Sequence, residues 1–211
     1  MNAYIDLYCE RTAPGLWAEP LNALTNAAFF IAAYFAYALA RREGTLEKRV
    51  WVLIALLCLI GAGSTAFHLL ATKTAMLSDV LPILFYQIAF IWIYALGVMK
   101  TGWVKAAGLF AVFIVASALA DRIPDSVMNG SLSYASAFAF LLGFGIWHRA
   151  HAVKERAILL IAAGVFALSL TCRSIDMALC GVFPIGTHFL WHCLNGAVLY
   201  MTTRSIIRSK T

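Results

Sequence analysis

The sequence predicts an all-α, polytopic membrane protein that forms one bundle of seven transmembrane helices. Three observations predict this fold: hydrophobic residues make up 63% of the chain, charged residues only 12%, and long apolar runs recur from end to end. A soluble domain is about 45–50% apolar and about 25% charged, so the composition excludes a water-soluble globule. Each span needs about 20 apolar residues, so seven spans within residues 1–211 leave only short loops and no second domain.

The predicted spans are seven apolar runs, each bounded by charged residues, glycine or proline. An acidic segment, residues 1–20, precedes the first run, and we expect it to lie outside the membrane. The chain shows no internal repeat, low-complexity segment or long linker between the runs. The runs cover residues 21–40, 50–70, 77–99, 103–120, 132–147, 157–175 and 187–206.

Lysine and arginine residues are distributed unequally between the two sides of the predicted bundle. With seven crossings, twelve lie on one side, and only Arg11, Lys73, Arg122 and Arg173 lie on the other. Loops rich in these residues stay inside, so the N-terminus is predicted outside and the C-terminus inside. The net charge of +6 therefore indicates membrane orientation rather than nucleic-acid binding. The twelve are Arg41, Arg42, Lys48, Arg49, Lys100, Lys105, Arg149, Lys154, Arg156, Arg204, Arg208 and Lys210.

The same topology places two of the five cysteines on the outer side of the membrane. Cys9 lies in the acidic segment, and Cys180 follows the sixth run. A periplasm or an organelle lumen is oxidising, so the topology allows a disulfide between them. The alternative is that both are small packing residues. We expect packing roles for the remaining cysteines, which are Cys58, Cys172 and Cys193.

The few ionisable residues at the ends of the runs converge at one depth. Even-numbered helices end outside and odd-numbered helices begin there, so all six residues are predicted near the outer face. Ionisable residues within a membrane are costly and mark functional sites. We expect a local ion pair between the two that end the sixth run, Arg173 and Asp176. The six are His68, Asp79, Arg173, Asp176, His188 and His192.

Three of these residues have the pattern of a zinc site. His188 and His192 are four residues apart, which places both imidazoles on one helical face. With His68 they form a three-histidine set with an open fourth position, as in catalytic zinc sites. Such a zinc ion lowers the pKa of a bound water to about 7 and polarises a carbonyl. Phe189 stands where zinc proteases carry their glutamate base, so Asp79 is the best-placed carboxylate.

Ser64 lies one helical turn before His68 and faces the same way, so its hydroxyl is positioned to stabilise an oxyanion. Other interpretations stay open at this point. A histidine pair at this spacing is often structural, and helix-borne histidines also ligate haem iron. Seven helices are typical of receptors and retinal proteins too, but the seventh run has no lysine for a Schiff base. We expect His148 and His151, on the basic side, to be solvated loop residues.

Three blocks of sequence resemble one known family. The first is Tyr-Cys-Glu at residues 8–10 with Glu-Pro-Leu-Asn-Ala-Leu-Thr-Asn at 19–26. The second is Gly-Ser-Thr-Ala-Phe-His at 63–68 with Leu-Ser-Asp-Val-Leu-Pro at 77–82, and the third is His-Phe-Leu-Trp-His at 188–192 with Gly196. Together they resemble the alkaline ceramidases, within a superfamily of seven-helix membrane hydrolases that includes progestin- and adiponectin-receptor-like proteins. The N-terminal Cys-Glu and Glu-x-x-Asn elements favour the ceramidase branch.

The resemblance implies a zinc ion held by the three histidines, with Ser64 and Asp79 as catalytic partners. It implies hydrolysis of the ceramide amide to a sphingoid base and a fatty acid, and a disulfide between Cys9 and Cys180. Tyr134 matches a family tyrosine near the catalytic site, which implies a substrate contact. The family segment before the first helix also binds calcium. Carried over, the calcium ligands are Asp6, Tyr8 through its carbonyl, Glu10 and Glu19.

The N-terminal block departs from the family pattern. Leu7 stands where the family has an acid, Thr12 stands where it has an asparagine, and the spacing between the two glutamates is shorter. Two alternative functions remain: an esterase or amidase acting on phospholipids or other N-acyl lipids, and a receptor-like protein with structural zinc. The expected partner is a membrane lipid, with no nucleic acid and no obligate protein partner. The compact chain and short loops predict a bacterial inner-membrane protein with its site near the extracytoplasmic face.

Overall fold

The computed structural model describes residues 4–152 and 154–209, and these are helical apart from short connections. Within them the one β pairing is an isolated bridge between Tyr4 and Thr72, so the all-α prediction is confirmed. A 3₁₀ segment, Met128–Tyr134, precedes the sixth long helix. The helices are α1 Pro20–Thr25, α2 Ala27–Arg42, α3 Lys48–Leu70, α4 Lys73–Gly97, α5 Trp103–Ala120, α6 Ala135–His151, α7 Ile158–Leu179 and α8 His188–Arg208.

Six helical segments of the described chain are long and apolar enough to cross a membrane. The last helix, α8, has the length at 21 residues but is less apolar than the others. Seven crossings and the orientation that depends on them therefore stay predictions, and Lys210 lies outside the described residues. The six segments are Pro20–Arg42, Lys48–Leu70, Lys73–Gly97, Trp103–Ala120, Met128–His151 and Ile158–Leu179.

The position of α8 accounts for its polar character. This helix packs against α1, α2, α3, α4 and α7, so much of its surface faces other helices. Its polar side chains are buried, including His188, His192 and Asn195. An interior helix does not need the apolar surface that lipid contact demands.

Two glycines let helices approach closely near the histidine-bearing end of the bundle. A Cβ at Gly63 would overlap the carbonyl of Ser78 in α4, and a Cβ at Gly196 would lie 2.9 Å from that of Ala28 in α2. Pro82 lies inside α4 and has no N–H, so the carbonyl of Ser78 lacks its usual helical donor. Small residues bring membrane helices together. Gly63 thus lets the end of α3 lie against the start of α4, and Gly196 lets α8 lie against α2.

The segment before α1 is fastened to the ends of two long helices. The backbone N–H of Ile5 donates to the carbonyl of Ala71, 2.9 Å away, just after α3. Cys9 forms a disulfide with Cys180 after α7, with a Cα–Cα distance of 5.3 Å. This disulfide is confirmed, and the other three cysteines are free. The segment therefore covers the end of the bundle where α3 ends and α8 begins.

One histidine prediction on the opposite, basic side is wrong. His148 is buried, with 3% of its surface exposed, and its Nδ1 lies 2.8 Å from the hydroxyl of Tyr94. The helix continues to His151, so His148 falls one turn inside it and faces α4. His151 is exposed, as predicted, but it is the last residue of α6 rather than a loop residue.

Candidate metal centre

Three histidine side chains meet at the covered end of the bundle. His68 comes from the last turn of α3, whereas His188 and His192 come from the first turns of α8. The Nε2 atoms of His68 and His192 are 3.1 Å apart, and one nitrogen from each ring lies within 4.8 Å of the others. No more than 2% of any of the three is exposed. The predicted convergence is confirmed, and among the described residues no other His, Cys, Asp and Glu side chains converge in this way.

The outer nitrogens of two rings have partners that orient them. Nδ1 of His68 lies 2.5 Å from Oε2 of Glu19, and Nδ1 of His192 lies 3.0 Å from the hydroxyl of Thr25. Both Nε2 atoms therefore face the shared centre. Histidines that bind metals commonly hold the other nitrogen this way.

The third ring, His188, is held by stacking rather than by a hydrogen bond. The ring of Tyr8 stacks on it with centroids 3.6 Å apart and an interplanar angle of 16°. Nδ1 of His188 is buried, and the described chain provides no hydrogen-bond partner for it. Buried polar atoms are rarely left unpaired, and a metal ion would supply the missing partner. Three imidazoles with this arrangement fit zinc.

Glu19 is part of a buried network behind His68. Its carboxylate accepts hydrogen bonds from Nε of Arg11 and, over 3.0 Å, from the amide of Asn22. Arg11 also donates to the carbonyl of His68, 2.6 Å away. Burial alone raises the pKa of Glu19, but its hydrogen bonds to His68, Arg11 and Asn22 hold the pKa below its usual value. An ionised Glu19 therefore accepts a hydrogen bond from Nδ1–H of His68 and fixes that ring.

The residues expected to bind calcium do not fit a calcium ion. Glu10 accepts two backbone N–H groups at the start of α1, at 2.6 and 2.8 Å, and Glu19 faces the guanidinium of Arg11. The carbonyl of Tyr8 accepts the N–H of Arg11 over 3.1 Å, and Asp6 is exposed. Calcium needs six to eight oxygen ligands, whereas here a fixed cation already lies against the acid. Calcium binding is therefore not confirmed: in this structure one glutamate caps a helix and the other supports a histidine.

Asp79 and Ser64 lie beside the histidines, as the sequence predicts. Asp79 is in the second turn of α4, half-buried, and lines a polar cavity of about 190 Å³ that reaches His188. Ser64 is buried one turn before His68, and its hydroxyl faces the carboxylate of Asp79. A carboxylate able to exchange protons and a hydroxyl donor thus lie together beside the histidine cluster.

A second cavity, of about 80 Å³ and almost wholly apolar, adjoins the polar one. Aromatic and aliphatic side chains from α2 to α8 line it. Ile83, Tyr134 and Trp191 line both cavities. Tyr134, the predicted substrate contact, therefore lies where the two meet. An apolar group would meet one cavity, and a polar group near the histidines would meet the other.

Asp176 does not form the ion pair expected with Arg173. Its carboxylate accepts three backbone N–H groups: that of Cys9 at 3.0 Å, that of Thr187 at 2.6 Å and that of His188 at 2.9 Å. A carboxylate at the start of a helix satisfies orphan N–H groups and the helix dipole. Asp176 thereby fixes the start of α8, and with it the position of His188.

Two arginines contribute to the site in ways that the sequence did not predict. Arg11 supports Glu19, and Arg173 lines the polar cavity and donates to the hydroxyl of Tyr8, 2.9 Å away. Both are among the four basic residues on the predicted outer side. A basic residue that opposes the charge bias of its side is the signal that could have singled them out.

The sequence matches the family model described as Ceramidase over residues 3–210. Among curated proteins, none matches the chain. The family match covers nearly the whole length, including the histidine cluster, Asp79, Ser64 and the disulfide. The chain therefore belongs to the ceramidase family.

Proposed function

We propose that this protein is a zinc-dependent hydrolase that cleaves the amide of ceramide, or of a related N-acyl lipid, to a long-chain amine and a fatty acid. The family supports hydrolysis of an amide. The observation that carries the proposal is the buried three-histidine cluster beside Asp79 and Ser64, at a polar cavity that adjoins an apolar one.

The three histidines would hold the zinc ion, and Glu19 and Thr25 orient two of their rings. Bound there, zinc supplies Lewis acidity that makes water more acidic and polarises the scissile carbonyl. Asp79 accepts the proton of the attacking water and returns it to the leaving amine. The hydroxyl of Ser64 donates a hydrogen bond to the carbonyl oxygen as negative charge develops there. Both residues act from α3 and α4, which Gly63 holds together.

The two cavities suggest how a lipid amide lies in the site. Its acyl chain would extend into the apolar cavity between the helices, and its amine portion would occupy the polar cavity. Ile83, Tyr134 and Trp191, which line both, would surround the amide region.

We extend the proposal to the topology, with α8 as a seventh crossing inside the bundle. The N-terminus, disulfide and histidines then lie on the extracytoplasmic side, in a bacterial inner membrane.

An enzyme explains the site better than a receptor with structural zinc does. A structural zinc site usually has four protein ligands, whereas this cluster brings three together and leaves one side to the polar cavity. A structural zinc site would also have no need of a carboxylate such as Asp79 facing that cavity. An esterase acting on phospholipids would use the same residues, so the substrate must be tested directly.

The decisive experiment measures zinc content and hydrolysis together on purified protein. Ceramide, N-acyl amino lipids and phospholipids are assayed with and without chelator. His188→Ala and His192→Ala should lose both zinc and hydrolysis, whereas Asp79→Asn should keep zinc and lose hydrolysis. His151→Ala, which changes an exposed histidine, is the matched control. Hydrolysis that persists without bound metal would overturn the proposal, and cleavage of phospholipids alone would make it an esterase.

A further inference from the structure

Two connections at the histidine-bearing end of the bundle expose apolar side chains. Residues 12–17 precede α1, residues 181–185 join α7 to α8, and both stretches are exposed throughout. Neither stretch contains a charged residue. We call them the apolar connections. Their large exposed side chains are Leu16, Trp17 (72% exposed), Val182 (82% exposed), Phe183 and Ile185. Clustered apolar side chains on an exposed surface mark an interaction site.

The charged residues beside these connections are buried. Arg11 and Glu19 lie on either side of the first connection, and Asp176 lies shortly before the second. All three are buried in the bundle end, where they contact one another's elements. A segment in water normally exposes its charges and buries its large apolar side chains. Here the arrangement is reversed, as expected of a surface that faces an apolar medium.

A third connection at the same end has the ordinary arrangement. Residues 121–127, which we call the charged connection, follow α5 and expose Asp121, Arg122 and Asp125. Asp125 lines the polar cavity that also reaches His188, so this connection belongs to the histidine-bearing end. That end therefore has a polar side, at α5 and α6, and an apolar side, at α7, α8 and the segment before α1.

The apolar connections lie at the depth of a membrane surface. The helix before the second connection, α7, has 22 residues, which is roughly 33 Å at about 1.5 Å per residue. A bilayer is about 30 Å thick in its hydrocarbon core and about 40–45 Å with its head groups. Residues just beyond α7 therefore fall in the head-group region, where tryptophan is enriched. Ile175 and Met177 are exposed in the last turns of α7, so the second connection continues the lipid-facing side of that helix.

A second copy of the chain fits this surface less well than lipid does. Protein interfaces carry about one hydrogen bond per 100–200 Å² and a polar rim. In the apolar connections, the side-chain hydrogen-bonding groups are only the hydroxyl of Thr12 and the indole N–H of Trp17. Acyl chains and the adjoining head-group region require no directional partners from the protein.

We propose that the two apolar connections are immersed in the lipid surface, whereas the charged connection lies in water. The lipid–water boundary then crosses the histidine-bearing end of the bundle instead of following the helix ends. The partner is the head-group region and upper acyl chains of the surrounding bilayer. This inference concerns the surface of the protein and holds whether or not the proposed function is correct.

Tryptophan fluorescence in phosphatidylcholine nanodiscs, which leave both membrane faces open to solutes, tests the proposal. Val182→Trp adds a reporter to the second apolar connection, and Val127→Trp adds one to the charged connection as the matched control, since both valines are exposed. The wild-type signal is subtracted from each. Phospholipid brominated near the head-group end of its acyl chains should quench the signal added by Val182→Trp about twofold or more. Aqueous iodide should quench it at least about threefold less than it quenches the control.

Trp17 is a second reporter that needs no added side chain. Its signal is the difference between the wild type and Trp17→Phe, and brominated lipid should quench it in the same way. Quenching of both connections by iodide as strongly as the control would overturn the proposal, because they would then lie in water. Protection from both quenchers would also overturn it, because a second copy or another protein would then cover them.

Discussion

Glu19 links the histidine cluster to the segment before α1, because its carboxylate contacts both His68 and Arg11. Only 2% of Glu19 and 3% of Arg11 are exposed, so water screens neither charge. Glu19→Gln keeps the size of the side chain and removes the charge. It therefore tests two consequences at once: the orientation of His68 and the pairing of a buried guanidinium.

The expected magnitudes follow from the two contacts. Losing a partner that orients a metal-binding histidine typically costs about 10- to 100-fold in metal affinity, so zinc should bind that much more weakly. Removing one member of a buried ion pair costs about 3–5 kcal/mol because the other is left uncompensated. The free energy of unfolding should fall by the lower part of that range, since Arg11 keeps its bond to the carbonyl of His68. Arg11→Met in the Glu19→Gln background should restore part of the loss.

Zinc affinity is measured by competition with a chromophoric chelator, and stability by denaturation of the metal-free protein in detergent. Glu10→Gln is the matched control, because Glu10 caps α1 without contacting a histidine. It should lose about 0.5–2 kcal/mol, as for a lost helix cap, with zinc affinity unchanged. If Glu19→Gln binds zinc as tightly as the wild type, the carboxylate does not orient His68 and the reasoning is refuted.

Three further predictions concern calcium, helix packing and pH. Because Arg11 lies against Glu19, adding calcium or a calcium-selective chelator should leave the Tm unchanged; a rise with calcium would contradict the roles that the structure gives to Glu10 and Glu19. Gly63→Ala should lower stability by about 1–3 kcal/mol, since its Cβ would overlap backbone of α4, whereas Gly143→Ala, with open space around it, should be close to neutral in denaturation. Hydrogen bonds from Arg204 hold the pKa of Glu155 below its usual 4.5, so the stabilisation is present above that pH and lost as pH falls below it. The Tm of Glu155→Gln should therefore fall less steeply on acidification than that of the wild type.

Much of this fold can be predicted from short stretches of the sequence. Each apolar run forms a helix because a chain in or beside lipid must satisfy its backbone hydrogen bonds within the segment, and the run lengths set the helix lengths. The spacing of His188 and His192 is a property of one helix, so their shared face follows directly. His68, Ser64 and Asp79 could be added because alternate helix ends fall at the same depth. The disulfide between Cys9 and Cys180 followed from the same depth argument and from the family resemblance.

Only the tertiary structure decided the contacts between elements. The i, i+3 and i, i+4 pattern predicts which residues share a helix face, but it does not predict which neighbour that face meets. The sequence therefore paired Arg173 with nearby Asp176, whereas the fold turns Asp176 to the start of α8 and Arg173 to the cavity. Likewise, Arg11 lies where the sequence predicted a calcium ion. Its guanidinium is eight residues from Glu19 in the chain and donates a hydrogen bond to that carboxylate. Helix formation is local, whereas the partner of a buried charge depends on how the helices pack.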